Sequence, residues 1–146
     1  MNKLFVLSGS SNSGKTTTLN TLADTLYKMQ GSKLGTAINI PHIDATDDKY
    51  YFDLQINRRN VRVGIFTSGD YPSAIVNAFN FFTSNNCEVC FAASKLYGNT
   101  VNAIESLALA NGIIPQYQYM VWQYPYNLRT QNAIQLGIVN QLISMI

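Results

Sequence analysis

Leu4-Phe5-Val6-Leu7-Ser8-Gly9-Ser10-Ser11-Asn12-Ser13-Gly14-Lys15-Thr16-Thr17-Thr18-Leu19 joins an apolar run, a glycine-bounded polar turn and the start of an amphipathic segment. Residues 3–8 read as a buried strand, a short apolar run ending at glycine. Residues 15–29 place Leu19, Leu22, Ala23, Leu26 and Met29 at offsets of three and four, which is one apolar helix face. Gly31 is the expected stop. Between them, Gly9 to Thr16 fits G-x-x-x-x-G-K-[ST] at every fixed position. Glycines let the backbone curl so that several N–H groups converge on one concavity, and the free N–H groups and dipole of the following helix favour an anion there. Lys15 adds a cation within reach of β- and γ-phosphates, and the Thr16 hydroxyl suits Mg²⁺. Gly9, Ser10, Ser11, Asn12, Ser13, Gly14, Lys15, Thr16 and Thr17 are the expected phosphate-binding set. The bland alternative is a flexible Gly/Ser turn. A strand before the motif and an amphipathic helix after it weigh against that.

Working outward, residues 34–40 read as a second strand halted by Pro41, and residues 44–48 as an acidic loop with Asp44, Asp47 and Asp48. Residues 50–56 alternate, with Phe52, Leu54 and Ile56 on one face. The cluster 57–60 reads as a turn and 61–66 as a strand, so the two strands form a hairpin. Residues 72–82 read as a helix with Pro72 in its first turn and Ile75, Phe79 and Phe82 on one face. Residues 89–93 read as a buried strand, and 100–111 as a helix with Val101, Ile104, Leu107 and Ala108 inward, stopped by Gly112. A strand is expected over 117–122 and a last helix over 128–146. Strand–helix alternation predicts an α/β fold. Its form is a three-layer α/β/α sandwich with a mostly parallel sheet and one antiparallel edge strand. Residues 1–146 are expected to form a single nucleotide-binding domain.

With the strand, turn and helix in order, the chain resembles the P-loop NTPases, specifically over residues 3–30 and by element order beyond. The resemblance implies a nucleoside triphosphate with Mg²⁺, on a central parallel sheet with the loop after its first strand. No N-K-x-D guanine-reading motif occurs, so ATP is the expected nucleotide by elimination. Residues 64–70 and 93–100 also resemble segments of small uncharacterised ATP-binding proteins of bacteria and mobile elements, a likeness that names no substrate.

The family's second metal element is an Asp closing an apolar strand. Here Asp70 comes four residues after Phe66 instead of directly. It is a candidate metal ligand or water-positioning group, or a cap for the helix at Pro72. By resemblance to P-loop kinases, Asp44 is the candidate base toward an acceptor hydroxyl, against a solvated acidic loop. Lys95 follows residues 89–93 and is the candidate cation for a transferring phosphoryl group. Asn99 or Thr100 in the same loop equally suits a helix cap. Arg129 is a competing cation, and Arg58 and Arg59 read as a solvated turn. Tyr124 and Tyr126 either stack on adenine or pack against the sheet.

Composition narrows the classes. The chain has 146 residues, 47% of them apolar, which suits one globular domain. Its net charge of +2 lacks the basic footprint of a nucleic-acid binder. No apolar run reaches membrane-spanning length, and the apolar start is too short for a secretory leader, so a cytoplasmic protein is expected. Cys87 and Cys90 form C-x-x-C without a second pair, and the single histidine, His42, is remote, so they read as core residues. The last helix is apolar around much of its circumference, which predicts deep burial or a self-association surface. Three functions compete. One is Mg²⁺-dependent ATP hydrolysis coupled to a switch or partner. The second is a small phosphotransferase acting on a nucleotide or metabolite acceptor, for which four arginines make a thin lid. The third is a non-catalytic nucleotide-binding module.

Overall fold

A computed structural model describes residues 1–10, 14–29, 49–120 and 128–146, with only the main chain of 128–132. The elements are β1 (Lys3–Ser8), α1 (Lys15–Lys28), β2 (Lys49–Ile56), β3 (Arg59–Phe66), α2 (Pro72–Ser84), β4 (Val89–Ser94), α3 (Asn99–Ala110), β5 (Pro115–Tyr119) and α4 (Leu128–Ser144). Five strands form one sheet in the order β2-β3-β4-β1-β5. All neighbours are parallel except β2 and β3, which form the expected hairpin and put an antiparallel strand at the edge. The expected strand 34–40, with Gly31, lies outside the described residues.

Burial on both faces explains why β1 lacks alternation. Phe5 and Leu7 join the core under α1 and α4, whereas Leu4 and Val6 join the core under α2 and α3. A strand covered on both sides needs apolar residues at every position. Edge strand β2 keeps the alternation: Tyr50, Phe52 and Leu54 are buried, and Asp53 faces away to make a two-pronged bond with Arg62 across the hairpin. Helix faces match their periodicity. Leu19, Leu22, Ala23 and Leu26 of α1 are buried, as are Ile75, Phe79 and Phe82 of α2 and Ile104 and Ala108 of α3. Cys87 and Cys90 are free and buried in the α2–α3 core, as core residues should be. Gly64 belongs to the same packing, since a Cβ there would lie 2.7 Å from Cys87 Sγ and 2.8 Å from Phe82.

Two boundaries differ from the sequence reading. The hairpin turn is only Asn57 and Arg58, both at positive φ (52° and 65°), so Arg59 and Asn60 belong to β3. A tight turn with both central residues left-handed matches the twist of the strands and leaves the ladder intact to Arg59. The last strand is Pro115–Tyr119, earlier than the expected 117–122. Its extent follows β1, with Leu4 opposite Pro115 and Ser8 opposite Tyr119. Pairing ends where β1 gives way to Gly9; Pro115 is tolerated at the start of an edge strand. In α4, Val139, Leu142 and Ile143 are buried, while Ile134 and Leu136 stay exposed. No helix among the described residues is long and apolar enough to cross a membrane.

Candidate functional site

The carboxyl ends of β1, β3 and β4 meet beside the amino end of α1. In open α/β sheets, this edge is where ligands bind. Gly14 precedes α1 at φ 87°, a left-handed geometry that a glycine adopts without steric cost. Helix α1 has no side-chain cap and no acidic residue in its first turn. Its leading N–H groups therefore have no carboxylate of that turn competing for them.

Lys15 is the first residue of α1 and is buried. Its Nζ donates to Gly9 O at 2.7 Å and to Ser10 O at 3.4 Å, and lies 3.5 Å from Asp70 Oδ1. Burial pushes the Lys15 pKa below its usual value. Asp70 opposes that shift, and the nearby charge of Lys95 adds to it. Thr16 is half-buried and Thr17 exposed, both in the first turn. Thr18, which the sequence did not single out, is fully buried and accepts a bond from Gln135 at 3.2 Å, tying α4 to α1.

Asp70 reaches Lys15 because of Gly69. The segment after β3 crosses the end of β4 so closely that a Cβ at Gly69 would lie 2.0 Å from Ala93 O. The four-residue offset of Asp70 is thus the length of chain that crosses β4. Its role as a helix cap is corrected: Tyr71 holds the N-cap position of α2, with no side-chain cap bond. The exposed carboxylate faces Lys15 instead.

Lys95 follows β4, and its main chain is tied to β1. Ser8 Oγ donates to Lys95 O at 2.7 Å, and Ser94 Oγ contacts Lys95 O at 2.8 Å and Ser8 Oγ at 3.1 Å. Lys95 N donates to Thr100 Oγ1 at 3.1 Å. Helix α3 is capped by Gly98 at φ 93°, so neither Asn99 nor Thr100 is the cap, and Thr100 serves Lys95 instead. Ser8, Ser94 and Thr67 are buried polar residues at this edge that sequence reading passed over, and Thr100, which it read as a candidate cap, is buried there too. Their one signal was a hydroxyl residue closing or following each apolar run.

Lys15, Asp70 and Lys95 thus come together with Gly9, Ser10, Gly14, Thr16 and Thr17. Ser11, Asn12, Ser13, Asp44, Tyr124 and Tyr126 lie outside the described residues, as does the side chain of Arg129. Among the described residues, no group of three or more His, Cys, Asp or Glu is placed to hold a metal. The oxygen donors on hand are the Thr16 hydroxyl and the Asp70 carboxylate, the hard-donor chemistry that Mg²⁺ takes alongside phosphate and water.

A polar groove of about 410 Å³ lies between α2 and the hairpin, lined by Lys49, Phe66, Asn77, Asn80, Phe81, Ser84 and Asn85. Lys49 Nζ stands 5.6 Å from the Phe81 ring centroid.

No protein-family model matches the chain, and no curated protein or solved structure does either. The α/β fold, with its five-stranded mixed sheet and four described helices, is therefore read from its own residues.

Proposed function

We propose that the chain binds ATP with Mg²⁺ at the turn between β1 and α1, as a P-loop protein, and hydrolyses it to drive a switch or partner contact. The observation that carries this reading is Lys15. It is a buried ammonium at the start of an uncapped helix, directly after the left-handed Gly14 of a G-x-x-x-x-G-K-T turn. Burying a cation is costly, and a polyphosphate would repay that cost. On binding, Lys15 exchanges Gly9 O and Ser10 O for phosphate oxygens. The Thr16 hydroxyl and the Asp70 carboxylate, once free of Lys15, would hold Mg²⁺, which would supply neutralising charge to the phosphates, or Asp70 would orient the attacking water. Lys95 then faces the charge that develops on the terminal phosphoryl group.

Phosphoryl transfer to a small acceptor is the second reading, favoured by the groove beside Phe66, the last residue of the strand that leads to Asp70. Asp44 is its candidate base. ATP labelled at the γ-phosphate, incubated with Mg²⁺ and a panel of nucleotides and metabolites, separates the two. Label recovered only as free phosphate supports hydrolysis; label on an acceptor supports transfer. Tight binding without turnover would leave a nucleotide-binding interaction module.

The same reading takes the protein as cytoplasmic and self-associating through α4, where Ile134 and Leu136 are exposed. Sedimentation showing a strict monomer at high concentration would remove the self-association.

A further inference from the structure

Helix α2 carries a second ordered stripe beside the one it buries. Ile75, Ala78, Phe79 and Phe82 go into the core. Asn77, Asn80, Phe81 and Ser84, at offsets of three, four and seven, instead line the groove of about 410 Å³, together with Asn85, Lys49 and Phe66. Lys49 and Phe66 are paired across the hairpin, and strand alternation turns Lys49 away from the core that holds Tyr50. The groove thus lies where the α2 layer ends and edge strand β2 continues. Its walls are fixed by the protein's own packing. A Cβ on Gly64 would meet Phe82 at 2.8 Å, so α2 is pressed onto β3. Asn85 Nδ2 donates to Phe81 O at 2.8 Å, and Arg62, gripped by Asp53, donates to Asn85 O at 3.0 Å. The Phe81 ring holds the Lys49 ammonium on one side and packs 6.0 Å, centroid to centroid, from Phe66.

The volume suits a small ligand or a short stretch of chain. Lys49 is the one charged side chain in the lining among the described residues, and its ammonium forms no ion pair among them. A single point charge matches a single carboxylate. A phosphate is ordinarily met by a row of N–H groups or an arginine fork, and the described lining provides neither. The side-chain amides of Asn77 and Asn80 have no protein partner among the described residues. Each offers a donor and an acceptor side by side, the complement of a peptide main chain. Phe66 and Phe81 offer apolar surface. We propose that this groove captures the free carboxyl end of an extended peptide, the tail of a partner protein. Lys49 meets the terminal carboxylate, Asn77 and Asn80 meet the main-chain amides, and Phe66 and Phe81 pack against an apolar last side chain. The inference goes beyond the nucleotide reading and does not depend on it.

The test is amide NMR of the isotope-labelled protein, without nucleotide, titrated with N-acetylated tripeptides Ala-Ala-Leu, Ala-Ala-Val and Ala-Ala-Phe. Each is used as the free acid and as the C-terminal amide. At least one free acid should saturably shift the signals of residues 77–85 and Lys49. Its amide form should bind about tenfold more weakly, the worth of a charge-assisted hydrogen bond. Lys49→Gln, checked for an intact thermal transition, should bring the acid down to the affinity of the amide. Asn77→Ala and Asn80→Ala should each weaken both forms by about fivefold and leave their ratio unchanged, which separates main-chain recognition from charge. No saturable shift with any peptide, shifts confined to residues outside the groove, equal affinity of acid and amide, or an acid preference that survives Lys49→Gln overturns the inference. Each of these leaves the nucleotide reading standing, because Mg-ATP binding is titrated separately.

Discussion

Replacing Gly69 by alanine tests how the site is assembled. The added Cβ would begin 2.0 Å from Ala93 O, and real Cβ contacts essentially never fall below 3.0 Å. At least about 1 Å of movement is therefore required. Ala93 is held in β4 opposite Leu7, so the segment 67–70 must lift away instead. Asp70 lifts with it, and its 3.5 Å approach to Lys15 opens beyond the range of an ion pair. Overpacking of this kind costs about 1–3 kcal/mol of stability. A misplacement of about 1 Å at a reacting centre costs about 100-fold in rate, or about 2.7 kcal/mol of barrier. The assay is Mg²⁺-dependent release of phosphate from ATP, with thermal unfolding measured alongside, on Gly69→Ala, Asp70→Asn and the double variant. If Gly69 acts through Asp70, the double variant is no slower than Asp70→Asn alone. Wild-type turnover in Gly69→Ala, or losses that simply add in the double variant, would refute this account of how Asp70 is placed.

Asp70→Asn itself should leave ATP affinity largely intact and slow phosphate release; wild-type turnover would reduce Asp70 to a partner of Lys15. Burial lowers the folded pKa of Lys15 below 10.5, so between that lowered value and 10.5 the unfolded chain holds a proton that the folded chain lacks. The Lys15 contribution to stability is thus complete above 10.5 and lost as pH falls through the folded value. Wild type should gain stability relative to Lys15→Met as pH rises across that window, while phosphate binding weakens; a pH-independent difference would contradict this. Arg58→Gly should stabilise the protein by about 1 kcal/mol, because φ 65° suits glycine and strains arginine. A lower urea midpoint for that variant would count against the turn geometry.

Much of this fold was legible because it is locally encoded. The apolar faces of α1, α2 and α3 follow a 3.6-residue period, β2 alternates, and β1 and β4 are uninterrupted apolar runs, so each announces how many of its sides are covered. The start of β5 was not legible, since the register against β1 sets it and glutamines and tyrosines give no period of their own. The candidate site divides in the same way. Gly9, Gly14, Lys15 and Thr16 are contiguous, and their chemistry is in their spacing. Asp70 was legible as a residue but not as a neighbour of Lys15. That depends on Gly69 clearing a carbonyl 24 residues further along the chain, at Ala93. The bonds of Ser8 to Lys95 and of Ser94 to Ser8 span 87 and 86 residues, so no local pattern marks them. Thr100 read as a cap because hydroxyl residues near a helix start usually are, but Gly98 already holds that position.

Everything proposed for this edge depends on whether a polyphosphate docks where β1 turns into α1. Calorimetric titration of Mg-ATP into wild type and Lys15→Ala asks that directly, with circular dichroism confirming that the variant keeps its fold. The account predicts saturable binding to the wild type at one site per chain and no measurable binding to Lys15→Ala. Equal affinity in the two proteins would contradict it.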